Sequence, residues 1–324
     1  MSYEVTLAHI QAAAQRLTGI IHYTPVIECN SISQMTDTPL FFKCENLQRT
    51  GAFKIRGSYN RIITLDPILR EKGIITASSG NSGSATAYAG RLLGLRTVVV
   101  QPENPAPSKR AAIAAYGAEQ HFVGSTTLER MAFAEGIVSE EGLLFVHPFD
   151  DPEVIAGQGT IGLEIMQQLP DVERVIVQIG GGGLLSGIAI ALRGLGFKGE
   201  IIGVEPEASP RMAYAISRGK AEALPTWVKS VGDGINSIKA GELTYPIIRD
   251  NVDSLVTVSD EGILRATKLL IERSRTFVEP SGAAPLAALL EGKVKPGVKT
   301  LCLISGGNSD IESLAGLFAT LSPA

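Results

Sequence analysis

The chain has 324 residues, 44% hydrophobic and 19% charged, which suits a globular protein with room for two cores and excludes extended disorder. Its 29 basic and 33 acidic residues leave a net charge of −4, so nothing electrostatic favours nucleic acid or an anionic membrane as partner. Met1-Ser2-Tyr3-Glu4 lacks a basic start and an apolar core, and no apolar run approaches a membrane span, so a cytoplasmic protein with neither partner is expected.

In chain order, a candidate edge strand at 39–43 precedes clear strands at 73–77, 96–100, 120–123 and 143–146. Helical stretches at 82–93, 108–116 and 128–140 lie between them, and such alternation implies an α/β protein with a mostly parallel sheet. A second series begins with the β-branched run 175–179, passes through a helix after Gly183, and closes with strands at 201–205 and 299–304. No repeat or long linker separates independent modules, so two α/β domains sharing one cleft are expected.

Two segments carry the chemistry. Gly51-Ala52-Phe53-Lys54-Ile55-Arg56-Gly57-Ser58 boxes a lysine between an aromatic ring and small residues. Gly180-Gly181-Gly182-Gly183, between a buried strand and a helix, offers consecutive backbone N–H groups unshielded by side chains. The run lacks the third glycine of the dinucleotide fingerprint and the terminal Gly-Lys-Ser/Thr of the nucleotide-hydrolase phosphate loop. An amine and an anion cradle together point to pyridoxal phosphate, bonded to Lys54 as a Schiff base with its phosphate on the glycine loop. Ser78-Ser79-Gly80-Asn81-Ser82, after the 73–77 strand, reads either as a second anion site suited to a substrate carboxylate or as a capped helix start. Ser305-Gly306-Gly307-Asn308 follows the last strand in the same way. Cys29, Cys44 and Cys302 read as buried free thiols, the four histidines show no metal-ligand spacing, and His147 reads as a structural residue.

Together with Lys43 to Gly57, His147-Pro148-Phe149-Asp150, residues 155–160, Gly203-Val204-Glu205-Pro206 and Glu279 to Ala284, these motifs resemble the fold type II pyridoxal-phosphate enzymes of the serine/threonine dehydratase and serine racemase group. The resemblance spans nearly the whole chain. It implies two open, twisted, mostly parallel sheets with flanking helices, a large cofactor-binding domain of residues 1–66 and 150–324, a small domain of 73–144, and a homodimer or larger homo-oligomer. By the same resemblance Lys54 carries the cofactor and moves the substrate α-proton, Phe53 packs near the ring, and Asn81 bonds the ring hydroxyl. Gly180, Gly181, Gly182, Gly183 and Leu184 hold the phosphate, and Ser305 faces the pyridine nitrogen. Ser79 is the second acid/base of a racemase or a carboxylate ligand of a dehydratase, alongside Ser78, Asn81 and Ser82.

The chain also departs from the group. Ser82 and Ser84 stand where relatives carry His and Gln, which puts the carboxylate pocket and any nucleotide effector site in question. A divalent cation would rest on Glu205, with Arg211 where an acidic partner would help. Arg130 is a candidate carboxylate ligand, with a solvated helix-face arginine as the simpler expectation. No regulatory domain is expected after Ser305. The expected activity is elimination of water from a 3-hydroxy-amino acid such as L-serine or L-threonine, giving a 2-oxo acid and ammonia. Racemisation, elimination from 3-hydroxyaspartate or phenylserine, and a non-catalytic cofactor-binding role are the alternatives.

Overall fold

The computed structural model describes residues 5–78, 80–124 and 126–322. Ten strands are described: β1 Val26–Glu28, β2 Leu40–Cys44, β3 Ile74–Ala77, β4 Thr97–Gln101, β5 Glu119–Phe122, β6 Leu144–Phe145, β7 Arg174–Gln178, β8 Glu200–Pro206, β9 Ser254–Val258 and β10 Thr300–Ile304. They form a six-stranded sheet in the order β1-β2-β10-β7-β8-β9 and a four-stranded sheet in the order β5-β4-β3-β6. All pairings are parallel except that of β1 with β2.

The central strands are apolar on both faces because both faces are covered by helices. In β7, Val175 and Val177 pack with Leu185, Ile188 and Leu192 of the Gly183–Gly194 helix, whereas Ile176 packs with Ala283, Ala284 and Ala287 of the Pro280–Leu290 helix. The segment 39–43 departs from its expected edge position: β2 lies between β1 and β10, and three residues of β1 cover its outer side. β1 is too short, and β9 too evenly half-buried, to stand out as an apolar run.

Two further features position the cleft. The Lys54–Thr64 and Pro152–Gln168 helices cross backbone to backbone, and a Cβ on Gly157 would lie 2.5 Å from the Arg56 carbonyl oxygen. Beneath that crossing, fully buried Arg56 pairs with Glu45 at 2.8 Å and Glu164 at 2.6 Å, and Lys43 also reaches Glu164. Among the described residues no helix is long and apolar enough to cross a membrane.

Candidate active site

The strand ends of the two sheets face a cavity of about 180 Å³ lined by Phe53, Lys54, Ser78, Asn81, Ser82, Arg130, Gly180 to Leu184 and Ser305. Chain segments far apart in sequence therefore meet here. Ser79 lies outside the described residues.

Main-chain bonds fix the lysine. Ala52 bridges Gly306, the Phe53 N–H donates to the Ser305 carbonyl at 3.1 Å, and the Gly307 N–H donates to the Gly51 carbonyl at 2.9 Å. Lys54 then opens its helix, and its Nζ donates to the Pro148 carbonyl at 2.8 Å, with the Phe53 ring centroid 5.1 Å away. Burial lowers the Lys54 pKa to about 8 against the opposing attraction of Glu279.

The glycine loop is held by the His147-Pro148-Phe149-Asp150 segment. His147 Nδ1 accepts from the Asp150 N–H at 2.8 Å, and burial pushes the imidazole pKa down, in keeping with a neutral, structural histidine. Asp150 accepts from the N–H groups of Glu242, Leu243 and Thr244, and the Thr244 hydroxyl donates to the Gly181 carbonyl at 2.6 Å. A Cβ on Gly181 would strike the Phe149 ring at 2.3 Å, and Gly182 adopts φ 102° as it leads into the helix. Only glycine fits both demands, and the result is a helix N-terminus whose first residues, Gly183 and Leu184, line the cavity.

On the other wall, the Asn81–Leu93 helix starts after Gly80 with no side-chain cap, so Ser78 and Ser82 line the cavity instead of closing the helix end. Asn81 Nδ2 donates to Glu279 Oε1 at 2.6 Å, and Asn308 Nδ2 donates to Asn81 Oδ1 at 2.9 Å. Burial raises the Glu279 pKa to about 7, with Lys109 opposing. Lys109, from the helix after β4, pairs with Asp233 at the cavity wall; burial works against its ammonium, but Asp233 and Glu279 outweigh that and raise its pKa. Glu279, Lys109, Asp233 and Gln178 carry no local sequence signal for a role here, although Glu279 opens the Glu279 to Ala284 motif.

Two expectations are corrected. Glu205 is fully buried, accepts from the N–H groups of Met212 and Ala213 at 2.8 and 2.9 Å, and pairs with Arg211, so its oxygens anchor the Arg211–Arg218 helix rather than a cation. Among the described residues no cluster of three His, Cys, Asp or Glu could hold a metal ion. Arg130 is not a solvated helix-face residue: it is buried against the cavity, and burial lowers its pKa. Ser84 lines a neighbouring cavity with Lys109 and Tyr116.

The donor set fits a phosphorylated aldehyde. A lysine of lowered pKa and an anion-binding helix start share one cavity, while Gln158 Oε1, both Gln178 heteroatoms and Glu279 Oε2 are buried polar atoms at the same cavity with no partner. Each such orphan costs about 1–3 kcal/mol unless a ligand meets it.

Residues 17–306 match the family described as pyridoxal-phosphate dependent enzyme. The chain is 46% identical to an L-threonine ammonia-lyase of Geobacter sulfurreducens, over 94% of this chain and 76% of that protein. It is 40% identical to the catabolic L-threonine dehydratase of Escherichia coli K12, over 96% and 95% of the two chains. The solved structure of maize serine racemase superposes with a TM-score of 0.92 at 36% identity, covering 97% of each chain.

Proposed function

Because the chain belongs to the pyridoxal-phosphate dependent enzyme family, we propose that it is an ammonia-lyase converting a 3-hydroxy-amino acid, L-threonine or L-serine, to the 2-oxo acid and ammonia. The observation that carries this reading is Lys54, an amine of pKa about 8 in the same cavity as the glycine loop. The lyase and dehydratase relatives support the reaction class.

Pyridoxal phosphate, when bound, supplies a conjugated electron sink for the charge left as the substrate loses its α-proton. The protein supplies the rest. Lys54 Nζ would hold the cofactor's aldehyde and, as a free amine, would take the substrate's α-proton; its lowered pKa provides a neutral fraction near neutral pH. N–H groups from Gly180 to Leu184 would hold the phosphate at the helix start. Phe53 and Phe149 wall the cavity against water. Asn81, steadied by Glu279 and Asn308, would bond the ring hydroxyl. Ser305, which lines the cavity, would offer the ring nitrogen a neutral hydroxyl, which does not enforce a proton there as a carboxylate would, and this would favour elimination over transamination. Ser78, Ser79, Ser82 and Arg130 receive the substrate carboxylate, and a bound carboxylate would offset the burial of the guanidinium.

The test is release of 2-oxo acid and ammonia from L-threonine and L-serine, with borohydride trapping of the cofactor on Lys54 and loss of both in Lys54→Ala. Faster accumulation of the opposite enantiomer than of oxo acid would transfer the assignment to a racemase. Cofactor absorbance without turnover of any 3-hydroxy-amino acid would leave a binding protein.

A further inference from the structure

Gln178 is the last residue of β7 and is 2% exposed, yet neither heteroatom of its carboxamide has a partner in the protein. A buried amide in that state costs stability, so its retention calls for an explanation outside the folded chain. The side chain lines the active-site cavity. By strand alternation it shares the face of Ile176, the face covered by the Pro280–Leu290 helix, whose first turn brings Ser281 to the same cavity.

Its place along the site is set by strand register. β10 and β7 are adjacent and parallel, paired through Cys302 and Ile176, two residues short of Ile304 and Gln178. Ser305 and Gln178 therefore stand at the same edge of neighbouring strands, and Gly180 follows two residues after Gln178. A molecule that spans from Ser305 to the glycine loop passes Gln178.

We infer that Gln178 is a cofactor-binding residue, its carboxamide N–H donating to the phosphate-ester oxygen of pyridoxal phosphate, the one polar atom between the ring nitrogen and the phosphate. This rests on the proposed cofactor and on the assignment of Ser305 to the ring nitrogen. Gln178 is a polar read-out whose cost is borne by the cofactor-free protein and relieved on binding.

The test uses the full chain stripped of cofactor, in wild-type, Gln178→Met and Gln178→Glu forms, with two readouts that need no turnover: the Kd for pyridoxal phosphate from absorbance titration, and Tm with and without saturating cofactor. In Gln178→Met, which removes the amide at similar size, the Kd is expected to weaken about tenfold, the size of one lost hydrogen bond. Its cofactor-free Tm should equal or exceed that of wild type, and its cofactor-induced rise in Tm should shrink. Gln178→Glu, which keeps the length but sets a carboxylate beside the phosphate site, should weaken binding further, and it decides the matter if the Met variant misfolds. Borohydride should still trap the cofactor on Lys54 in both variants at saturation. An unchanged Kd, or an equal Tm shift with and without cofactor, would make Gln178 a structural amide and overturn the inference. Wild-type protein that takes up no cofactor would instead remove the functional proposal itself.

Discussion

Replacing Arg56 with methionine tests how the lysine-bearing helix is anchored. Arg56 is fully buried and donates to both oxygens of Glu45 at 2.8 Å, to Glu164 at 2.6 and 3.0 Å, and to the Thr160 hydroxyl at 3.1 Å. With Lys43, two cations face two carboxylates; without Arg56, one negative charge is left uncompensated in the core. Breaking a buried pair in this way costs about 3–5 kcal/mol. For 324 residues, an unfolding entropy of roughly 2.1 cal/mol/K per residue turns that into a fall in Tm of about 4–7 °C.

The pH dependence supplies the sharper signature. Burial opposes the Glu45 carboxylate, but Arg56, Lys43 and Thr24 together hold its pKa below the usual value. A depressed folded pKa gives stability that is present above the unfolded value of about 4.3 and is lost as pH falls through the folded pKa. In the variant burial prevails and the folded pKa rises above the unfolded one, so stability increases as pH falls from 7 toward 5. Calorimetry at pH 7 and pH 5 should find a large deficit at the first and a smaller one at the second. A deficit under about 1 kcal/mol, or one equal at both pH values, would refute the argument.

Lys54 should capture added pyridoxal phosphate faster as pH rises, levelling off above its pKa of about 8, because only the neutral amine attacks; stopped-flow absorbance that still climbs steeply beyond pH 9.5 would point to an ordinary lysine. Gly181→Ala would drive a Cβ into the Phe149 ring, costing about 1–3 kcal/mol and loosening the phosphate seat, and Phe149→Leu in the same chain should restore part of the cofactor affinity in an absorbance titration. Glu205→Gln should lower Tm, because a buried carboxylate bonded to two N–H groups and Arg211 is disrupted, while oxo-acid formation keeps the same response to chelator before and after the change.

The α/β alternation was legible because parallel strands buried on both faces are continuous apolar runs, as in β4, β7 and β10. β1 is not legible because three residues carry no periodicity, and without it β2 reads as an edge strand. In the site, Lys54 and the glycines could be read locally, since an amine beside a ring and an unshielded N–H run are visible in a few residues. Glu279 and Gln178 could not. Their importance arises from what they lack or meet in space: a partner for Gln178, and Asn81 and Lys109 for Glu279. Glu205 failed for the converse reason, because a carboxylate in a motif says nothing about the two N–H groups that will use it.

The bridge between Ala52 and Gly306 bears on how the enzyme is born. The segment that carries the lysine leaves the ribosome roughly 250 residues before the strand end it must zip to, a delay of tens of seconds at ordinary elongation rates of about 5–20 residues per second. A nascent chain therefore cannot assemble a complete vitamin pocket until residue 306 has emerged, and truncations shortly before residue 306 should leave the cofactor without a seat even where most of the core has formed.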